Sequence, residues 1–206
     1  MPQPPIPLRL GFFASHGGSN LQAILAAVAA GTLPASPRLV ICNNSSAAAL
    51  EKARQAGVPG LHLSRATHPE PELLDEAALA ALQARQVNLV VLAGYMRKIG
   101  PRVLAAFPRR VVNIHPALLP KFGGQGMYGG RVHHAVLAAG ETESGVSIHL
   151  VVGEYDRGPV LAQARVAVLP GDTPETLQAR VLEQEHRLYP ETLARIASGE
   201  IDLDAA

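Results

Sequence analysis

"VNLVVLAG", residues 87–94, decides the fold. The run is nearly continuous in apolar residues and too short for a typical helix. It shows no alternation of apolar and polar positions. Such a strand is buried on both faces, which is the signature of a parallel sheet covered by helices on its two sides. Working upstream, "PELLDEAALAALQARQ" (71–86) predicts a helix with Pro71 near its start, and "GLHLS" (60–64) a short strand. "SAAALEKARQAG" (46–57) is a helix stopped by Gly57, and "RLVICNN" (38–44) a strand. "NLQAILAAVAAG" (20–31) is a helix stopped by Gly31, and "LRLGFFA" (8–14) the first strand. Downstream, a turn-rich piece leads to the strand "RRVVNIH" (109–115). Strands separated by helices form βαβ units. "SGVSIHLVV" (144–152) and "PVLAQARVAV" (159–168) lie close together around the turn "GEYDRG", which favours an antiparallel pair added to that sheet. A long helix from about Pro174 to Ser198 completes an α/β fold. We expect one domain over residues 8–200, with a proline-rich, extended leader at residues 1–7.

Composition narrows the function. Lysine and arginine total 18 against 17 acidic residues, so the net charge of +1 gives no reason to expect nucleic acid as partner. An anionic ligand must be caught by a local site. The single cysteine, Cys42, allows no intrachain disulfide and suits a reducing compartment. The N-terminus lacks a basic start and its apolar run is broken by Arg9 and Gly11, so it does not read as a signal peptide. No stretch approaches the roughly 18 apolar residues of a membrane helix. The expectation is a soluble, cytoplasmic protein with no membrane partner.

Open parallel sheets bind ligands at the carboxyl ends of their strands, and there the polar oddities collect. "SHGGSNL" follows the first strand: its glycines let backbone approach a ligand, and the helix start can receive a single phosphate. The same residues also read as a plain helix cap, with Ser19 or Asn20 as N-cap. It is neither a Walker A loop nor a dinucleotide fingerprint. "NIHP" ends the fifth strand. His115 there suits general acid–base work, and Asn113, two residues earlier, points the same way. The alternative is a buried histidine bonded to a backbone carbonyl. Asp156 in "EYDRGPV" is either an ordinary turn aspartate or a carboxylate that favours the imidazolium of His115. His133 and His134 do not converge on a helix and have no acidic or cysteine companions, so no metal is expected. Cys42 reads as core, and Ser147 and His149 alternate on a strand without a nucleophile elbow.

"HGGSNLQAIL", "VVLAGYMRKI", "NIHPALLPKF", "SGVSIHLV", "YDRGPVLAQ" and "QEHRLYP", in this order, resemble the phosphoribosylglycinamide formyltransferases of purine biosynthesis over residues 9 to 195. The resemblance implies a Rossmann-like, mostly parallel sheet flanked by helices. It implies transfer of a formyl group from the co-substrate 10-formyltetrahydrofolate to the amino group of glycinamide ribonucleotide, by direct attack and without metal. By position, Gly18, Ser19 and Asn20 would bind the ribonucleotide phosphate, and Glu185 its ribose hydroxyls. Met96, Arg97, Lys98, Ile99, Asn113 and the segment Val152, Gly153, Glu154, Tyr155, Asp156 would hold the folate, largely through backbone. Asn113, protonated His115 and Asp156 would be catalytic. A homodimer is compatible with the resemblance.

The sequence departs from that pattern in places. After "LLPKF" comes "GGQGMYGGRVHHAV", in which five of the residues 123–130 are glycine; a mobile loop at the cleft, acting as a lid, is expected. Lys98 stands where many relatives carry an apolar residue, and Arg65 is the nearest basic residue ahead of the third helix. The rival readings are a formyltetrahydrofolate deformylase, for which residues 1–7 are expected to leave no room for a regulatory domain, and a non-catalytic phosphate-ligand sensor. A methionyl-tRNA formyltransferase would need a further domain and a basic surface.

Overall fold

The structure is a computed structural model, and it describes residues 7–205. The leader expected at residues 1–7 therefore lies, apart from Pro7, outside the described residues. The described elements run β1 Leu8–Ala14, α1 Ser19–Ala29, β2 Ala35–Cys42, α2 Ala48–Gln55, β3 Gly60–His62, α3 Pro71–Ala84 and β4 Leu89–Leu92. They continue with α4 Pro101–Ala106, β5 Val111–His115, α5 Gly130–Ala138, β6 Glu143–Leu150, β7 Val160–Ala167 and α6 Pro174–Ala197.

One seven-stranded sheet has the order β3-β2-β1-β4-β5-β6-β7. Every pair from β3 to β5 is parallel, and β5–β6 and β6–β7 are antiparallel. The parallel part and the added antiparallel pair agree with the expectation. From β1 the chain goes outward to β2 and β3, then returns to β4 on the other side. The carboxyl ends of β1 and β4 thus flank a topological switch point. They are stitched there by Ser15 N–H donating to Gly94 O at 3.1 Å and Met96 N–H donating to Ser15 Oγ at 2.8 Å.

Alternation along the strands explains what each face buries. Leu89 and Val91 of β4, Val112 and Ile114 of β5, and Val146, Ile148 and Leu150 of β6 pack into the core with α1 and α6. Val90, Leu92 and Val111 point the other way, into the cluster that includes Ala78 and Leu82 of α3 and Val103 of α4. Beyond Val111 that second face carries Asn113 and His115 on β5, and it carries Ser147 and His149 opposite them on β6. Here loops, not helices, cover the sheet. Tyr189 of α6, fully buried, closes the first core: its hydroxyl lies 3.2 Å from Leu92 O and 3.1 Å from Val112 O.

The structure corrects several boundaries. β2 begins at Ala35 rather than 38, and β3 stops at His62 rather than 64. The turn-rich stretch contains helix α4, and the Gly-rich stretch runs into helix α5. The cap of α1 is Gly18, not Ser19 or Asn20, and no side chain caps it. Gly18 adopts φ 64, and a Cβ there would lie 2.8 Å from the Ala49 side chain, so both conformation and space require glycine.

Candidate active site

Residues 113, 115, 147 and 149 form two cross-strand pairs, Asn113 with His149 and His115 with Ser147. Directly opposed residues share a face, so the polar side chains of β5 and β6 meet. Asn113 Nδ2 lies 3.1 Å from His149 Nε2, and His149 Nδ1 lies 2.9 Å from Leu150 O. His149 Nδ1–H donates to Leu150 O, while its Nε2 lies within reach of both the Asn113 amide and the Asp156 carboxylate. At most one N–H of the Asn113 amide is engaged there, which leaves the second uncommitted.

Asp156, in the turn between β6 and β7, reaches both histidines. Its Oδ2 is 3.5 Å from His115 Nδ1, and its Oδ1 is 3.4 Å from His149 Nε2. Gly124 N–H donates to Oδ2 at 3.0 Å. Asp156 holds φ 55, a left-handed conformation uncommon for a residue with a Cβ. Burial raises the Asp156 carboxyl, but His149, His115 and the Gly124 amide outweigh it, and the group stays below its ordinary value. It is a carboxylate at neutral pH.

His115 is 3% exposed, and its Nε2–H donates to Phe122 O at 2.8 Å. The expected carbonyl-bonded histidine and the expected catalytic histidine are thus the same ring. Burial lowers its pKa; Asp156 and the Phe122 carbonyl pull it up, His149 pushes it down, and burial wins. Burial thus opposes the charge that Asp156 is expected to favour on His115, whose Nε2 is held by the Phe122 carbonyl while its Nδ1 faces the carboxylate. His133 of α5 is buried and its pKa is lowered, first by burial and then by repulsion from His115; adjacent His134 is exposed, so the two do not converge.

At the α1 end, Asn20 Nδ2–H donates to Glu185 Oε2 at 2.6 Å. Both are buried, and burial pushes the Glu185 carboxyl up to about 7, although the Asn20 amide partly offsets this. One Asn20 N–H is thus committed to Glu185, its buried Oδ1 has no hydrogen-bond partner among the described residues, and the backbone N–H groups at the start of α1 face any anion.

Two cavities meet at this centre. One, about 480 Å³, is lined by Ser19, Asn20, Asn113, His115, Asp156 and Glu185, with Gly124 to Gly129 of the Gly-rich segment as its outer wall. The other, about 470 Å³, is lined by Met96, Arg97, Lys98 and Ile99 with Arg65 and Arg102 at its rim. Tyr95, Met96 and Tyr155 belong to both walls. Lys98 Nζ sits 6.0 Å from the Tyr155 ring centre, a cation–π contact across the junction. Of the expected ligand-binding residues, Gly18, Val152, Gly153 and Glu154 line neither cavity. His149 and the Phe122 carbonyl were not anticipated. Period-two alternation put His149 on the same face as Asn113 only once the β5–β6 register was known. A backbone carbonyl leaves no mark in sequence.

A family model described as formyl transferase matches residues 8–193. The chain is 42% identical, over 94% of its length, to a protein of Arabidopsis thaliana named phosphoribosylglycinamide formyltransferase, chloroplastic. It is 37% identical over 92% of its length to the phosphoribosylglycinamide formyltransferase of Escherichia coli K12, covering 87% of that protein. It covers 66% of the Arabidopsis relative and 62% of another plant relative, from Vigna unguiculata, just under two thirds of each. The crystal structure of glycinamide ribonucleotide transformylase 1 from Symbiobacterium toebii superposes with a TM-score of 0.88 at 42% identity, over 94% of this chain and 89% of that one.

Proposed function

The chain belongs to the formyl transferase family, and on that premise we propose that it moves the formyl group of 10-formyltetrahydrofolate onto the amine of glycinamide ribonucleotide, one domain over residues 8–200 carrying the whole reaction. The observation that supports this most is the pair of ligand-sized cavities sharing a wall beside His115 and Asp156. A two-substrate transfer needs that arrangement.

The ribonucleotide occupies the cavity between α1 and α6. Its phosphate meets the α1 N-terminus at Gly18, Ser19 and Asn20 through backbone N–H groups, and Glu185 receives the ribose hydroxyls. The folate lies against Met96 to Ile99 and the 152–156 turn, with the cationic rim of Arg65, Arg97, Lys98 and Arg102 facing its carboxylates. The amine attacks the formyl carbon and charge builds on the formyl oxygen. The free N–H of Asn113 donates to that oxygen. Nδ1 of His115 takes a proton from the attacking amine, and Asp156 stabilises the resulting imidazolium. The proton then passes to the folate nitrogen as its bond to carbon breaks. The ring gains its charge as the transition state forms, so its interaction with Asp156 favours that state over the ground state. No acyl-enzyme is formed.

The test is to follow 10-formyltetrahydrofolate with and without glycinamide ribonucleotide. Consumption only when the ribonucleotide is present is the expected result. Consumption without it would identify a deformylase, and none in either case a binding protein.

A further inference from the structure

His115, Ser147 and Gln163 stand in one row across three strands, because β5–β6 pairing sets His115 opposite Ser147 and β6–β7 pairing sets Ser147 opposite Gln163. Neither Ser147 nor Gln163 lines a cavity. Both are bonded to the segment that leaves β5. The fully buried Ser147 Oγ–H donates to Ala117 O at 2.7 Å and accepts from Leu119 N–H at 3.0 Å and Gln163 Nε2–H at 2.8 Å. Gln163 Nε2 also donates to Leu119 O at 3.0 Å. The hydroxyl is saturated, and both amide hydrogens of Gln163 are used.

Beyond Leu119 the same segment delivers the Phe122 carbonyl to His115 and the Gly124 amide to Asp156. Phe122 holds φ 54, a costly conformation for a residue with a Cβ, and one that persists only where its surroundings impose it. We infer that Gln163, acting with Ser147, is a positioning residue: it pins residues 117–119 so that the Phe122 carbonyl stays on His115 Nε2 and keeps Nδ1 as the free, basic nitrogen. The titratable groups acting on His115 are Asp156 from the β6–β7 turn and His149 from β6, and His133 of α5 in turn feels His115. Asp156 is tied to the same segment through the Gly124 amide, so loosening it acts on His115 through both the Phe122 carbonyl and that carboxylate. That carbonyl raises the affinity of His115 for its second proton. Loosening it lowers the titration midpoint and lets the ring adopt the unproductive tautomer.

The proposal rests on the formyl-transfer reading for its kinetic arm only. In Gln163→Leu, which keeps volume and removes both donors, kcat falls about tenfold to a hundredfold. KM for both substrates stays within about twofold of wild type. The NMR titration midpoint of the His115 ring moves to lower pH. An unchanged midpoint overturns the proposal, whether kcat is normal or falls together with thermal stability as in a merely structural defect. Should Gln163→Leu not fold, Ser147→Ala is read by the same two measurements. If the wild-type protein shows no transfer at all, the functional reading fails, while the midpoint still decides the role of Gln163.

Discussion

At the scale of single residues, the site is a contest over one imidazole. Burial favours the neutral ring of His115, and Asp156 and the Phe122 carbonyl oppose it without prevailing. His115 should therefore titrate below the ordinary histidine value of about 6.5, as read by NMR. In Asp156→Asn the midpoint should drop further, because a group that raises it is gone; a rise would refute the assignment. The neutral ring takes the proton from the amine, so the acid limb that His115 imposes on kcat/KM lies below the ordinary histidine value, apart from the titration of Glu185 at about 7. Asn113, His115 and Asp156 could be picked out from sequence because each sits at a strand end or turn where sheet topology places ligands. The ionisation state could not. It depends on the balance between solvent exclusion and neighbours far along the chain, His149 and Asp156.

At the scale of elements, strand and helix types were legible wherever the period ran long enough. α4 was not, because its six residues carry little periodic signal. Its start is fixed from another element: buried Asp75 of α3 accepts from Arg102 N–H at 2.7 Å and from Val103 N–H at 3.3 Å, doing for α4 what a local cap would do. Gly100 permits this approach, since a Cβ there would lie 2.1 Å from the Asp75 carboxyl carbon. Asp75→Ala leaves those donors without partners and should cost about 1–2 kcal/mol. For a chain of this size the melting temperature falls by roughly 2–8 °C. Because α3 and α4 wall the second cavity, KM for the folate should rise while that for the ribonucleotide holds. A variant as stable as wild type would show that α4 does not depend on this cap.

At the scale of the whole molecule, function is held at a cost in stability. Glu185 is buried at the foot of the first cavity with its carboxyl raised from 4.5 to about 7. Its folded pKa lies above its unfolded one, so its favourable contribution is complete below pH 4.5 and is lost as pH rises through 7. That gap corresponds to about 3 kcal/mol at pH 8. Glu185→Gln should therefore melt higher than wild type at pH 8 and no higher at pH 4, while binding the ribonucleotide more weakly. Equal melting curves at pH 8 would contradict the buried charge. The convergence of β5, β6 and the β6–β7 turn on one carboxylate carries the whole account, and Asp156→Asn addresses it directly. With wild type and variant compared for ribonucleotide-dependent formyl transfer, kcat should fall on the order of 10²–10⁴ with the ribonucleotide Kd unchanged. Transfer within a few-fold of wild type would contradict it.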